Sequence, residues 1–181
     1  MNSFYSVAEL KELGLKSCGT NVLISRKISM YSPEKISIGN EVRIDDFCIL
    51  SGNITIGSHI HISAYSALYG LHGIELEDYT GLSPRCTLFS AMDDFSGDYL
   101  IGPIHPASFT NVTGGPVLIR KFAQIGSGST IFPGVVVGEG CVVGAMSLVV
   151  CSLAEWGVYV GIPVRRIKER GRALLKFVRD E

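Results

Sequence analysis

The sequence predicts an all-β solenoid, a stack of short parallel strands joined at tight corners. Along residues 119–149 an aliphatic residue recurs every six positions, and a small or β-branched residue follows four positions after it. The aliphatic residues are Ile119, Ile125, Ile131, Val137, Val143 and Val149, and the small ones are Ala123, Ser129, Val135, Cys141 and Ser147. A period of six fits neither a helix nor one long strand. It is typical of a solenoid whose core takes the aliphatic side chains and whose corners take the small ones.

The same period extends back to residue 18 and predicts a solenoid over residues 18–155. The earlier apolar positions are Cys18, Ile24, Met30, Ile38, Ile44, Leu50, Ile56, Ile62, Leu68, Leu76, Leu82 and Leu88. Three steps are longer than six, because two extra residues fall within 30–38, two within 68–76 and twenty-five within 88–119. Each insertion follows the third repeat of a coil, so all three should leave the solenoid at one edge. Loops of this kind often carry function, and we expect the active site at this edge.

The longest insertion, residues 89–116, is too apolar for a solvated linker. Its large apolar residues are Phe89, Phe95, Tyr99, Leu100, Ile101 and Phe109. A loop this long in a compact domain is usually functional or disordered. We expect it to pack against a neighbouring subunit of a homo-oligomer.

A short helix is predicted before the solenoid begins. Ser6 and Glu9 form a capping box that predicts a short helix over Val7–Leu13, and Gly14 would end it. This helix would belong to a lid, residues 1–17, over the first coil.

A second helix is predicted in the C-terminal segment, residues 156–181. Pro163 suits a first helical turn, and an apolar face follows, formed by Ile167, Leu174, Leu175 and Val178. The helix would cap the open end of the solenoid. Residues 164–181 hold seven basic side chains against three acidic ones. This excess indicates either a solvated basic face or a phosphate-binding site.

Composition excludes several classes of protein. The chain has 181 residues, 46% of them hydrophobic, which suits a single domain. Its net charge of −1 does not indicate a nucleic-acid-binding protein. No apolar run is long enough for a membrane span, and the N-terminus lacks the features of a signal peptide. The five cysteines form no CxxC pair. We therefore expect buried free thiols in a cytoplasmic protein.

Three motifs resemble a known family: Ile125-Gly-Ser-Gly-Ser, Val143-Gly-Ala-Met-Ser, and Trp156-Gly-Val-Tyr-Val-Gly-Ile-Pro-Val-Arg-Arg-Ile. They are similar to the hexapeptide-repeat acetyltransferases, in the branch that acetylates galactosides, maltose and nodulation factors. The resemblance implies a left-handed parallel β-helix, here of about six coils, that assembles as a homotrimer. It also implies an acetyl-CoA co-substrate lying in the groove between two subunits.

The resemblance assigns candidate coenzyme contacts residue by residue. Ser127 and Ala145 stand where the family holds the pantetheine arm, and Arg165 and Lys168 stand where it meets the CoA phosphates. Family members often carry Thr-Lys just after the last coil, and this chain has Val150 and Cys151 instead. Arg166 could supply the missing phosphate contact.

The catalytic base departs from the family pattern. The family places a histidine at the start of the long loop, where this chain has Asp93. Asp93 and its neighbour Asp94 could act as base or orient a histidine, or they could form a turn. His72 leaves the same edge one coil earlier and could pair with them, or be a surface histidine. His61 could face a neighbour across the groove, or be an exposed corner residue.

The remaining candidates are less informative. His59 is expected to face solvent, and His105 lies inside the long loop and has no predicted position. Trp156, the single tryptophan, either approaches the adenine or packs between the last coil and the terminal segment.

Two acyl-transfer reactions fit these observations. The first is O-acetylation of a sugar or surface-glycan precursor during polysaccharide biosynthesis. The alternative is N-acetylation of a nucleotide-linked amino sugar, because an amine needs less help from a base than a hydroxyl does. A γ-type carbonic anhydrase is disfavoured by its need for three metal-binding histidines, so no metal site is predicted. A non-catalytic scaffold would need neither the long loop nor the basic ending.

Overall fold

The computed structural model describes residues 3–178, and the ends of the predicted lid and C-terminal segment, residues 1–2 and 179–181, lie outside this range. The helix is α1, Val7–Glu12. The strands are, in chain order, β1 Ser17–Cys18, β2 Leu23–Ile24, β3 Ser29–Tyr31, β4 Ile36–Ile38, β5 Val42–Ile44, β6 Ile49–Ile56, β7 Ile60–Ile62, β8 Ala67–Leu76, β9 Gly81–Leu82, β10 Thr87–Phe89, β11 Ala91–Asp93, β12 Val112–Gly114, β13 Val117–Ile119, β14 Gln124–Ile125, β15 Thr130–Ile131, β16 Val136–Val137, β17 Val142–Val143, β18 Leu148–Val149, β19 Gly157–Gly161 and β20 Val164–Glu169. Three 3₁₀ turns span Pro33–Lys35, Ala107–Phe109 and Ala173–Phe177.

The strands stack in parallel into three faces of a prism. On the first face the order is β1, β4, β6, β8, β13, β16. On the second face it is β2, β5, β7, β9, β14, β17, β19. On the third it is β3, β6, β8, β10, β15, β18. The long strands β6 and β8 continue from the third face to the first. The predicted all-β parallel solenoid, the architecture of a left-handed β-helix, is confirmed.

The register of the repeat is also confirmed by burial. Sixteen of the eighteen apolar repeat positions are buried, and so are all five small corner residues from Ala123 to Ser147. Cys18 is exposed and Met30 is half-buried, because the first coil has no coil beneath it. Ser129 shows how a polar residue is tolerated at a buried corner: its hydroxyl donates to the Gly144 carbonyl over 2.9 Å.

The solenoid has seven coils instead of the predicted six. Leu153 pairs with Val137 on the first face, and Tyr159 pairs with Val143 on the second, so both start a further coil. The repeat hides this coil because only four positions separate Val149 from Leu153 and because the next core residue is aromatic. Both side chains are buried.

The N-terminal prediction is confirmed in its mechanism. The Ser6 and Glu9 capping box forms at the start of α1, and the helix ends one residue earlier than predicted, at Glu12. Leu10 packs into the core at the open end. Glu9 also accepts two hydrogen bonds from Arg26, at 2.8 and 2.6 Å, which ties the helix to the first coil.

The predicted C-terminal capping helix is wrong. The chain turns after Gly161, through a cis peptide bond before Pro163, and β20 pairs antiparallel with β19. An extra strand covers the unpaired edge of the last coil and satisfies its backbone groups, which a helix would leave open. Ile167, part of the apolar face that predicted the helix, is 57% exposed. The only helical turn after Pro163 in the described part of the chain is the 3₁₀ turn Ala173–Phe177.

The long insertion forms a β-hairpin with an extended tip. Strands β11 and β12 pair antiparallel as its stem. The tip carries exposed apolar side chains, which are Phe95, Tyr99, Leu100, Ile101, Ile104 and Phe109. Within one chain the loop therefore leaves its apolar surface uncovered.

The thiols divide into two groups. Cys48, Cys86 and Cys141 are buried as predicted, and burial raises the pKa of Cys48 and of Cys86 to about 11. Cys18 and Cys151 are exposed, against the prediction for Cys18, and all five are free. Within residues 3–178, no helix has the length and apolar character needed to cross a bilayer.

Candidate active site

The three insertions meet at one corner of the prism, between the third and first faces, as predicted. They enclose a cavity of about 690 Å³. Its walls come from the first insertion at Ser32, the second at Gly70 and Leu71, and the hairpin stem at Met92 and Asp93. The stacked rings of Tyr69 and Phe89, 5.3 Å apart, form its apolar side. Asp93 and Lys35 are its charged residues. A cavity of this size that is mainly apolar with a few polar groups is typical of a small-molecule site.

The two candidate carboxylates of the loop, Asp93 and Asp94, have different positions. Asp93 lies on β11 opposite Val112, is half-buried and lines the cavity. Asp94 instead fastens the loop: its carboxylate accepts from the Ser96 N–H at 2.7 Å and from the Asn111 side-chain amide at 2.8 Å. The hydrogen bonds from Ser96, and then the one from Asn111, lower the pKa of Asp94 below its usual value. Asp94 thus makes the turn, and Asp93 is the carboxylate that faces the cavity.

His72 lies beside the hairpin stem and outside the cavity lining. Its backbone N–H donates to the Ser90 hydroxyl at 2.9 Å. Its ring lies against Gly114, where a β-carbon would come within 3.0 Å of the ring. Among residues 3–178, no hydrogen bond or ion pair joins His72 to Asp93 or Asp94. The predicted histidine–aspartate pair is therefore not assembled within one chain.

His61 belongs to an ion-pair cluster on the second face. Its Nε2 lies 2.7 Å from an Asp45 oxygen, and the Arg43 Nε donates to the other Asp45 oxygen at 2.8 Å. Partial burial acts to raise the pKa of Asp45, but the hydrogen bonds from Arg43 and His61 outweigh it and the pKa is lowered. Of the other histidines, His59 stacks on Tyr79, and His105 is half-buried in the loop.

The residues predicted to hold the coenzyme lie along a different corner, between the second and third faces. Ser127 in coil five and Ala145 in coil six are exposed and stand in successive coils, joined by a hydrogen bond from the Met146 N–H to the Ser127 carbonyl. Their small side chains leave room for a ligand to approach the backbone.

The basic residues of β20 lie at the end of this same stack of coils. Arg166 forms an ion pair with Glu169 at 2.5 Å. Arg165 and Lys168 are exposed, and no residue of the described range pairs with them. They can therefore meet a phosphate group without first breaking an ion pair. Arg170, the basic residue directly after β20, has a structural role: it donates to the carbonyls of Phe122 at 2.7 Å and Gly140 at 3.1 Å.

Ser83 was missed by sequence reasoning. It directly follows Leu82 and lies at the corner between the second and third faces, in the coil below Ser127. Its backbone N–H donates to the Ile125 carbonyl at 2.9 Å, and its carbonyl accepts from the Ser66 hydroxyl at 3.3 Å. Its own hydroxyl has no hydrogen-bond partner among residues 3–178. Nothing in the repeat distinguishes it from other corner serines.

Two known proteins are similar to the chain over most of its length. The chain is 43% identical over 172 residues to a dTDP-4-amino-4,6-dideoxy-D-glucose acyltransferase of Escherichia coli, covering 93% of this chain and 90% of that protein. It is 56% identical to AntD, an N-acyltransferase from Bacillus cereus, whose crystal structure superposes with a TM-score of 0.95 over 98% of this chain and 95% of that one. The chain belongs to the hexapeptide-repeat acyltransferases.

A third relative is less similar to the chain. The putative colanic acid biosynthesis acetyltransferase WcaF of Escherichia coli strain K12 is 30% identical over 154 residues, covering 84% of this chain and 68% of that protein. No protein-family profile matches the chain. The predicted enzyme class, an acetyltransferase with acetyl-CoA as co-substrate, is confirmed.

Proposed function

We propose that the chain transfers an acyl group from acyl-CoA to the amine of a nucleotide-linked 4-amino sugar, dTDP-4-amino-4,6-dideoxyglucose or a close analogue. The observation that carries this proposal is the AntD structure with that sugar nucleotide and coenzyme A, a protein 56% identical over almost the whole chain. The Escherichia coli relative is named for the same sugar. Of the two reactions expected from the sequence, N-acylation therefore has the stronger support.

The spacing of ten residues between Ser83 and Asp93 supports their assignment as the residues that take part in the reaction. Several AntD structures carry a substitution at one serine or at one aspartate ten positions further along. In this chain Ser83 and Asp93 are the only serine and aspartate with that spacing and order. At 56% identity the same pair is expected at corresponding positions. Asp93 is also the carboxylate that lines the large cavity.

The chemistry assigns these two residues separate tasks. The amine nitrogen attacks the thioester carbonyl carbon, and the carbon–sulfur bond breaks to release the CoA thiolate. Asp93 accepts the proton that the nitrogen loses and returns it to solvent or to the thiolate. The Ser83 hydroxyl donates to the oxyanion that forms on the carbonyl oxygen.

The positions of Ser83 and Asp93 support an active site shared between two copies of the chain. Ser83 lies at one corner of the prism and Asp93 at the next, with the whole third face between them, along β10. Both groups can act on one substrate only if a neighbouring subunit brings its hairpin to the Ser83 corner. The exposed apolar tip, for example Leu100 and Ile101, would be buried in that contact. We therefore propose a homotrimer with the coenzyme between subunits, which light scattering at micromolar concentration tests.

The test of the reaction is a thiol-release assay with acyl-CoA and dTDP-4-amino-4,6-dideoxyglucose. The wild-type protein should release CoA with this acceptor and not with the 4-hydroxyl sugar nucleotide. Asp93→Asn should lower turnover by about 10²–10⁴, the usual contribution of a general base. His72→Ala, a matched change at the same edge, should stay within about twofold of wild type if Asp93 acts without a histidine. Turnover of Asp93→Asn equal to wild type would remove Asp93 from the mechanism.

O-acetylation of a glycan precursor is the second candidate, supported by the 30% identity to WcaF. It predicts turnover with a hydroxyl acceptor in the same assay. The galactoside, maltose and nodulation branch, the cytoplasmic location, and the roles of Ser127, Ala145, Arg165, Arg166 and Lys168 at the coenzyme stay predictions.

A further inference from the structure

A column of cations and rings runs along the corner between the second and third faces, over coils one to four. It consists of Lys27, Phe47, Tyr65 and Arg85, and we call it the open column. The rings of Phe47 and Tyr65 stack with centroids 5.0 Å apart. The Lys27 ammonium lies 5.4 Å from the Phe47 centroid, and the Arg85 guanidinium lies 5.8 Å from the Tyr65 centroid.

The fold does not require these side chains. Phe47, Tyr65 and Arg85 all have a left-handed backbone, with φ of 61°, 63° and 64°, and the same position in coil five is Gly128. Large side chains rarely adopt this conformation, and glycine adopts it without strain. The two rings remain exposed, at 47% and 55%. Exposed aromatic side chains at a strained position indicate a ligand more than a packing role.

Arg85 differs from the cations at and beside this corner in the first two coils. Arg26 is paired with Glu9, Lys27 with Asp46 at 2.9 Å, and Arg43 with Asp45 at 2.8 Å. Arg85 has no acidic partner or hydrogen bond from its side chain among residues 3–178, and its contact is with the Tyr65 ring. A guanidinium with free donors beside an exposed ring suits a phosphate group next to a flat base.

We propose that the open column binds the nucleoside diphosphate of the acceptor, with the diphosphate on Arg85 and the base stacked on Tyr65. This inference rests on the proposed function, because it assigns a part of the same substrate. In a nucleotide sugar the order is amine, sugar, diphosphate, nucleoside. Along the column the order is Ser83, Arg85, Tyr65, Phe47, which runs from the proposed reacting hydroxyl to the rings.

Coenzyme A also carries a nucleoside diphosphate. The position of the open column along the axis of the solenoid decides whether the acceptor or the coenzyme binds there. Coils lie about 4.8 Å apart. Of the residues predicted to hold the coenzyme, Ser127 lies on coil five, Ala145 on coil six, and Arg165 on β20, beyond coil seven. They lie on the other side of Ser83 from the rings of the open column. The acceptor and the coenzyme would then approach Ser83 from opposite ends of one corner.

The test is calorimetric titration of the full-length chain with dTDP and, separately, with coenzyme A. Arg85→Asn and Tyr65→Asn are suitable variants, because asparagine tolerates a left-handed backbone. Each should weaken dTDP binding by about 10- to 100-fold, the size of a phosphate contact or a stacked base. Affinity for coenzyme A should stay within about twofold. Lys121→Asn is the matched control, since Lys121 also lies over two rings, those of Tyr79 and Phe122, but at another corner.

Three results would overturn the inference. Unchanged dTDP affinity in both variants would show that the column does not bind the nucleotide. Weakened coenzyme A binding with unchanged dTDP binding would assign the column to the coenzyme. Dissociation of the oligomer in either variant, seen by light scattering, would make the column a contact between copies. A wild-type protein without affinity for dTDP would reject the proposed function as well, whereas wild-type binding with unaffected variants rejects this inference alone.

Discussion

The corner between the first and second faces carries a second column of rings, formed by His59, Tyr79, Phe122 and Trp156, which we call the covered column. Its centroids are 4.5, 5.4 and 6.4 Å apart in that order. As in the open column, these residues have a left-handed backbone, with φ between 52° and 64°. Burial distinguishes the two: Phe122 is 7% exposed and Trp156 is 3% exposed, whereas both rings of the open column remain exposed.

The C-terminal segment accounts for this difference. The Arg172 guanidinium lies 4.9 Å from the Trp156 ring centroid. Arg170 donates to the backbone carbonyls of Phe122 and Gly140, and burial lowers its pKa from the usual value for arginine. The same local geometry therefore stabilises the fold where a terminal segment covers it, and remains available to a ligand where none does.

The largest effect is expected at the buried end of the covered column. Trp156→Ala should lower the free energy of unfolding by about 3–5 kcal/mol, because it removes a large ring that lies between Phe122 and Arg172. Tyr65→Ala in the open column should change it by at most about 0.5 kcal/mol, as expected for an exposed site. Urea denaturation of both variants measures the contrast. Equal losses would show that both columns are structural.

Two glycines at equivalent corner positions sharpen the comparison. An alanine β-carbon at Gly140 would lie 2.5 Å from the buried Trp156 ring, and at Gly128 it would lie 2.5 Å from the sulfur of the exposed Met146. Both have a similar positive φ, 64° and 71°, so an alanine at either position would be strained by the left-handed backbone. Gly140→Ala should cost about 2–4 kcal/mol and Gly128→Ala about 1–2 kcal/mol, since only methionine can move aside. Equal melting temperatures in the two variants would contradict this account.

A third test concerns the far end of the corner that holds the open column. The double variant Arg165→Ala with Arg166→Ala should weaken coenzyme A binding by about tenfold or more through lost phosphate contacts. Affinity for dTDP should not change, because the open column lies on the first four coils. Lys176→Ala, a basic residue of the last 3₁₀ turn, is the control. Unchanged coenzyme affinity in the double variant would mean that this basic strand is only solvated.

The smallest expected effect is a pH dependence of stability, caused by the ion pair of Glu9 with Arg26 beside the open column. The hydrogen bond from Arg26, followed by those from Ser6, lowers the pKa of Glu9 from 4.5 to about 2. Because the folded-state pKa is lowered, the stabilisation is present above about pH 4.5 and is lost as the pH falls toward 2. The wild-type melting temperature should therefore fall slightly over this range. Glu9→Gln should lack that part of the fall, and Glu12→Gln should keep it; a fall of the same size in Glu9→Gln would assign it to other carboxylates.

The sequence by itself determined the solenoid, the register of its core and the N-terminal cap. Each depends on a local or periodic pattern: the side chain at every sixth position must fill the core, and Ser6 with Glu9 caps its own helix. It also placed the three insertions at one edge, because counting coils fixes the corner at which an insertion leaves. Asp93 was singled out by the family resemblance, because it stands where the family places a histidine.

The tertiary structure decided the features that depend on contacts between corner residues of successive coils. The exposed corner positions follow no hydrophobic period, so the sequence did not reveal that Tyr65 stacks on Phe47. Nor did it reveal that Arg85 has no acidic partner within residues 3–178. Ser83 and Asp93 lie at neighbouring corners of the prism, one full face apart. This separation is likewise known only once the coils are stacked. The C-terminal strand replaced the predicted helix for a related reason: the unpaired edge of β19 exists only after six coils lie beneath it, and its backbone groups then bind β20 more favourably than they bind water.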